Sequence, residues 1–185
     1  VEDPDHLPDL PAVAEFEQEI GQKPPRCRVA CLCFDKLDVE KGMEVRSPKG
    51  ETRTLKHPWS ILAYQLAGDQ GLMLLNADGK PEERETAPAE NLLSELLALP
   101  VQEGLGVLVL LDEVLMFARE KVAQERGWMD KLQNFFQYLA QAATKTDRCC
   151  LVVSLLASDP KMSDTFGRGI DAALQDVFQR QREEV

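Results

Sequence analysis

Residues 106–117 read Gly-Val-Leu-Val-Leu-Leu-Asp-Glu-Val-Leu-Met-Phe. Five apolar residues, Val107 to Leu111, run without interruption into two carboxylates, Asp112 and Glu113. A strand with one face in water alternates apolar with polar residues. A strand apolar at every position suits a parallel sheet with helices over both faces. In such sheets ligands bind beyond the carboxyl ends of the strands. The two acids therefore fall where chemistry is done. The bland alternative is a buried strand ending in solvated acids, and the stretch alone leaves both readings open.

Outward from this stretch the pattern alternates. Residues 1–12 are acidic and proline-rich and read as an extended lead-in. Val13, Phe16 and Ile20 have helical spacing, ended by Gly21 and Pro24-Pro25. Residues 28–34, Arg-Val-Ala-Cys-Leu-Cys-Phe, read as a short buried strand, and the charged residues 35–54 as a loop with a hairpin at Ser47-Pro-Lys-Gly50. Residues 58–66 form a helix opened by Pro58. Residues 68–85 are turn-rich, and their apolar stretch from Leu72 to Leu75 is too short to assign. Residues 88–99 form a leucine-striped helix closed by Pro100. After the 106–112 strand, residues 114–122 begin a helix or turn and residues 128–144 form the longest helix. Residues 149–156 are a second strongly apolar strand, and 162–182 are helical, with Ile170, Leu174, Val177 and Phe178 on the core face. Strands alternating with helices predict an α/β fold: one domain over residues 1–185, a parallel sheet, helices on both faces.

The chain has 185 residues and a net charge of -11, so its surface repels phosphate backbones, and direct nucleic-acid binding by this segment is not expected. Its apolar runs are too short to span a bilayer, and no basic n-region with an apolar h-region opens it. A cytoplasmic protein without membrane contact is expected. The five cysteines are read as buried thiols in a reducing compartment. Cys31 and Cys33 on a strand point the same way, but their spacing is not that of a zinc site.

An apolar strand ending in Asp-Glu has the layout of a Walker B element. There the first acid holds Mg²⁺, usually through water, and the second polarises an attacking water. Such an element works with a phosphate loop, G-x-x-x-x-G-K-[ST], whose amides and lysine cradle phosphates. No glycine in the chain is followed by Lys-Ser or Lys-Thr.

Three segments resemble a known family. The first is Thr54-Leu-Lys-His-Pro-Trp-Ser-Ile-Leu-Ala-Tyr-Gln-Leu-Ala-Gly68. The second is the run into Asp112-Glu113, followed by Phe117-Ala-Arg119. The third runs from Phe136 through residues 140–143 to the 151–156 strand and on to Ala157-Ser158. Together they resemble the large prokaryotic AAA-like P-loop ATPases catalogued as a conserved domain of unknown function and found beside phage-defence systems of the BREX type. The resemblance covers about residues 5–182 and implies an incomplete P-loop NTPase (AAA-like) core whose phosphate loop lies upstream. It also implies a phosphate-loop strand lying between the two apolar strands, so that its loss leaves edges prone to pair with other chains.

The resemblance carries roles over residue by residue. Asp112 becomes the Mg²⁺-linked acid and Glu113 the catalytic base, with ATP and Mg²⁺ as the cofactors of the full-length parent. Ser154 or Ser158 becomes the sensor that contacts nucleotide, although an ordinary strand serine is an equal reading of Ser154. Arg168, Arg180 and Arg182 are candidates to act on a neighbouring subunit's site, solvated helix arginines being the simpler view. Arg119 is read as a surface ion-pair partner of Glu113 or Glu120. Partners implied are nucleotide, further copies of the chain, or other defence-system proteins. Trp59 and Trp128 read as core rather than nucleotide stackers, and His6 and His57 carry no catalytic argument. The competing expectation is a non-enzymatic α/β protein-interaction module that binds no nucleotide.

Overall fold

The computed structural model of the chain describes residues 11–21, 24–125 and 127–154. In chain order its elements are α1 (Pro11–Ile20), β1 (Cys27–Cys33), a 3₁₀ turn (Phe34–Lys36), β2 (Met43–Arg46), β3 (Thr52–Leu55), α2 (Pro58–Ala67), α3 (Asp69–Leu75) and α4 (Glu90–Gln102). Then follow β4 (Gly106–Asp112), α5 (Val114–Gln124), α6 (Trp128–Lys145) and β5 (Cys149–Val153). The expected helix at 162–182 and the sites Ser158, Arg168, Arg180 and Arg182 lie outside the described residues.

The apolar run at 106–112 is the middle strand of a three-stranded parallel sheet, ordered β1-β4-β5. It is paired along its length with β1, from Cys27↔Gly106 to Cys33↔Asp112, and with β5, from Val107↔Cys149 to Leu111↔Val153. The two most apolar strands of the chain are thus direct neighbours. The expectation of a further strand between them is corrected: their ladders leave no room for one.

Helices on both faces were expected; α2, α4 and α6, which pack on the strands, occupy one. α2 lies against β1, α4 against β4 and α6 against β5, and the three helices touch side by side in one layer. Beneath them Ala30, Leu32, Val107, Val109 and Leu111 are buried. The opposite face carries Val29, Leu108 and Leu110, only half-buried, with Cys31, Cys150 and Val152 exposed. Topology supplies the reason. Parallel crossovers are right-handed, and both steps, β1 to β4 and β4 to β5, advance in the same direction across the sheet. Both sets of helices therefore fall on the same face. A crossover in the reverse direction, which would place helices on the other face, does not occur among the described residues.

Local chemistry moves several element boundaries. The 35–54 segment is not only a loop: it holds the antiparallel hairpin β2-β3, whose turn is at the expected Ser47–Gly50 position, where the Gly50 amide donates to the Ser47 carbonyl at 2.9 Å. The apolar run at 72–75 belongs to the helix α3, which buries Leu72 and Leu75. Pro100 does not close its helix but lies within the last turn of α4, buried. It removes one amide donor, while its carbonyl accepts from the amides of Glu103 and Leu105 at 3.1 and 3.0 Å. β1 would present a bare outer edge, but Gln65 of α2 covers it. The Gln65 amide accepts from the Cys31 N–H at 2.8 Å and donates to the Cys31 carbonyl at 2.9 Å, standing in for a neighbouring strand.

Aromatic side chains dominate the core. Trp59 and Trp128 are stacked, with ring centroids 5.5 Å apart, and His57 stacks on both. Phe34, Phe117, Phe135 and Phe136 extend the cluster toward the carboxyl end of the sheet. Both tryptophans are core residues, at 0 and 1% exposure.

Candidate functional site

The acids lie at the carboxyl end of the central strand. Asp112 is the last residue of β4, in register with Cys33 of β1. The next rung is Ser154, whose amide donates to the Leu111 carbonyl at 2.8 Å, continuing the β5 ladder one residue past the strand. Cys33, Asp112 and Ser154 thus form a row across three strands. Strand alternation puts the row on the open face of the sheet. The structure brings Ser154 beside the acid pair, whereas Ser158 is outside the described residues.

Glu113 joins β4 to α5 and is the N-cap of that helix, with φ 56° and ψ 34°. This is the left-handed region, which costs an L-residue roughly 1–2 kcal/mol and is normally left to glycine or asparagine. Residues held there concentrate at active sites and ligand clamps. Asp112 and Glu113 are both half-buried. Arg119, expected as an ion-pair partner of Glu113 or Glu120, falls on α5.

The thiols are more open than expected. Cys31 and Cys150 are exposed, and Cys27, Cys33 and Cys149 are half-buried. The reading of five buried thiols fails because alternate residues of β1 and β5 project from the uncovered face. Cys149 points to the helix layer, and burial pushes its thiol up to about 11. No three acidic, cysteine or histidine side chains among the described residues are grouped to hold a metal ion. A cleft of about 530 Å³ opens at the opposite, amino-terminal end of the sheet, among Arg26, Cys27, Gly106, Arg148 and Cys149, away from the acids.

A second polar cluster was not legible in the sequence. Glu83, in the turn-rich segment, accepts from the amides of Lys56 and His57 at 2.8 and 2.9 Å and pairs with the His57 ring Nδ1 at 3.1 Å. Burial opposes ionisation of Glu83, but these donors together hold its carboxyl below the ordinary range. The carboxylate also faces the amino end of α2, where the helix dipole favours negative charge. Beside it the Trp59 Nε1 donates to the Arg84 carbonyl at 2.6 Å. His57, set aside on sequence grounds, is thus the hinge pin between α2 and the 76–89 segment. Its partner lies 26 residues away with no periodic signal to announce it.

The model of the DUF499 N-terminal domain matches residues 39–184. The chain belongs to this family. The DUF499 match takes in α2, the strand ending in Asp112, and β5. It begins after β1, so Cys31 and Cys33 precede it. No curated protein matches the chain, and no solved structure does. The DUF499 description names no reaction. Among the described residues no helix is long and apolar enough to cross a membrane.

Proposed function

We propose that the chain is the Walker B half of an AAA-like P-loop ATPase core, in which Asp112 is the acid linked to Mg²⁺ through water and Glu113 is the base that polarises the attacking water. The observation that carries this reading is the backbone at Glu113. A non-glycine residue held at φ 56°, between the central parallel strand and the following helix, occupies the carboxyl-end position where such sheets bind ligands. Ser154, level with Asp112 on the neighbouring strand, is a sensor candidate beside it.

The donors fit the cation. Mg²⁺ keeps several waters and takes one or two carboxylates together with substrate phosphates, so it needs no all-protein cage. Asp112 supplies such a carboxylate, and bound Mg²⁺ would neutralise charge on the phosphates. The phosphate loop, absent from residues 1–185, would come from sequence preceding this chain. The fold has room for it. Among the described residues β5 pairs only on its β4 side, and the sheet face opposite the helices is open. A strand preceding α1 and placed beyond β5 would reach β1 by a reverse crossover, and the right-handed rule carries that crossover over the open face. Nucleotide turnover would drive a conformational step, with further copies of the chain or other defence-system proteins as partners.

The test uses a polypeptide that carries the upstream phosphate-loop region together with this chain. ATP hydrolysis with Mg²⁺ and nucleotide binding are measured for the parent and for Glu113→Gln. Loss of a general base should cost at least on the order of 100-fold in turnover, with binding retained. Hydrolysis at the parental rate sinks the assignment of Glu113. The open apolar face also favours a second reading, a protein-interaction module without nucleotide. Absence of any nucleotide binding by that longer polypeptide would select it.

A further inference from the structure

Cys31 and Cys33 alternate with Leu32 along β1. Leu32 points into the helix layer and is 1% exposed, so nothing separates the two thiols on the open face. Their Sγ atoms lie 3.9 Å apart. Cys31 is exposed and Cys33 half-buried. We propose that Cys31 and Cys33 form a redox-closable pair, a site at which an oxidant of the peroxide class makes a reversible disulfide within one strand. The proposal does not depend on the nucleotide reading.

Geometry selects this pair among the described thiols. Cys149 and Cys150 are adjacent in sequence but project to opposite faces of β5. Cys27 is four residues from Cys31, roughly 13 Å along the strand, and its thiol donates to the Pro25 carbonyl at 3.4 Å. For Cys31 and Cys33 the strand rise puts the Cα atoms about 6.6 Å apart, at the upper end of the disulfide range of roughly 4.4–6.8 Å. Closure therefore puckers β1, and a bond under such strain is easily reduced again. The pucker falls where Gln65 holds both backbone groups of Cys31 and where Cys33 lies level with Asp112.

The chemistry balances with the peroxide alone. The Cys31 thiolate attacks one peroxide oxygen, the O–O bond breaks, hydroxide leaves, and Cys31 becomes a sulfenic acid. The Cys33 sulfur then attacks the Cys31 sulfur. The S–S bond forms, the S–O bond breaks, and the hydroxide takes up a proton as water. Two electrons pass from the two sulfurs to one peroxide, which ends as two waters. Partial shielding of the sulfur from water, the Cys33 thiol and the Asp112 carboxylate hold the Cys31 thiol above its ordinary value, with Lys36 opposing. The thiolate is the attacking form, so attack by Cys31 quickens as pH rises.

The test treats the purified chain with hydrogen peroxide, blocks free thiols with iodoacetamide in denaturant, and maps peptides by mass spectrometry before and after dithiothreitol. The expected result is that Cys31 and Cys33 escape alkylation together, in a peptide lighter by two hydrogens, and that both are recovered on reduction. In Cys31→Ser protein, Cys33 should stay open to alkylation at the same peroxide dose. Accumulation of Cys31 sulfinic acid while Cys33 remains alkylated would overturn the proposal. So would disulfide-linked dimers as the first oxidised product.

Discussion

Replacing Glu113 by glycine and, separately, by alanine isolates the strain at the end of the central strand. Both variants remove the carboxylate, so they differ only in what the backbone at φ 56° costs. Alanine keeps the left-handed penalty of roughly 1–2 kcal/mol for an L-residue. Glycine removes it, but adds unfolded-chain freedom worth roughly 0.5–1 kcal/mol. At the middle of both ranges the glycine variant should therefore be more stable than the alanine variant by about 0.75 kcal/mol. At about 2–4 °C per kcal/mol for a domain of this size, that is a difference of roughly 1.5–3 °C in Tm. The assay is urea and thermal unfolding of the 185-residue chain followed by circular dichroism. Against the parent, the glycine variant should be no less stable, even though it destroys the proposed base. This is the pattern of a residue kept for function at the expense of stability. If alanine proves as stable as glycine, Glu113 is not strained, and the observation that carries the proposed function is lost.

Three further outcomes follow from the packing. Gly71→Ala should lose about 1–3 kcal/mol in urea unfolding, although alanine is the better helix former by about 1 kcal/mol, because its Cβ would lie 2.2 Å from the Ala63 backbone oxygen. Trp128→Ala should lose about 3–5 kcal/mol by the same measurement, since the ring is buried against Trp59 and His57 and its Nε1 donates to Glu125 at 2.6 Å. Glu83 has a folded carboxyl held below its unfolded value. It therefore adds stability above roughly pH 4.3 that fades as pH falls through the folded value. Unfolding measured from pH 7 down to pH 3 should show the parent losing stability from about pH 5, and Glu83→Gln should show a shallower loss.

Much of the fold was legible because its elements announce themselves locally. β4 and β1 are apolar runs bounded by turn residues, and α6 carries Leu132, Phe135, Phe136 and Leu139 at helical spacing; the structure puts each within a residue or two of its expected bounds. Asp112 was legible for the same reason, as the first charge after five apolar residues. The β2-β3 hairpin was legible at its turn, Ser47–Gly50, but the extent of its strands was not, because their residues are mostly polar and a lone hairpin buries little; Val45 and Leu55 alone are buried there. The bond from Glu83 to His57 and the embrace of Cys31 by Gln65 were illegible too. Each joins residues 26 to 34 positions apart that share no pattern.

The sequence by itself determined a parallel α/β sheet and the place of Asp112-Glu113 at the end of an apolar strand, since burial of such a run admits few other solutions. It could not decide strand order, because the alternation of strand and helix is the same for any order. Tertiary structure decided that β4 lies between β1 and β5, and hence that both crossovers share one face. That one arrangement leaves the opposite face open, brings Ser154 level with Asp112, and sets the thiols of Cys31 and Cys33 3.9 Å apart beside it.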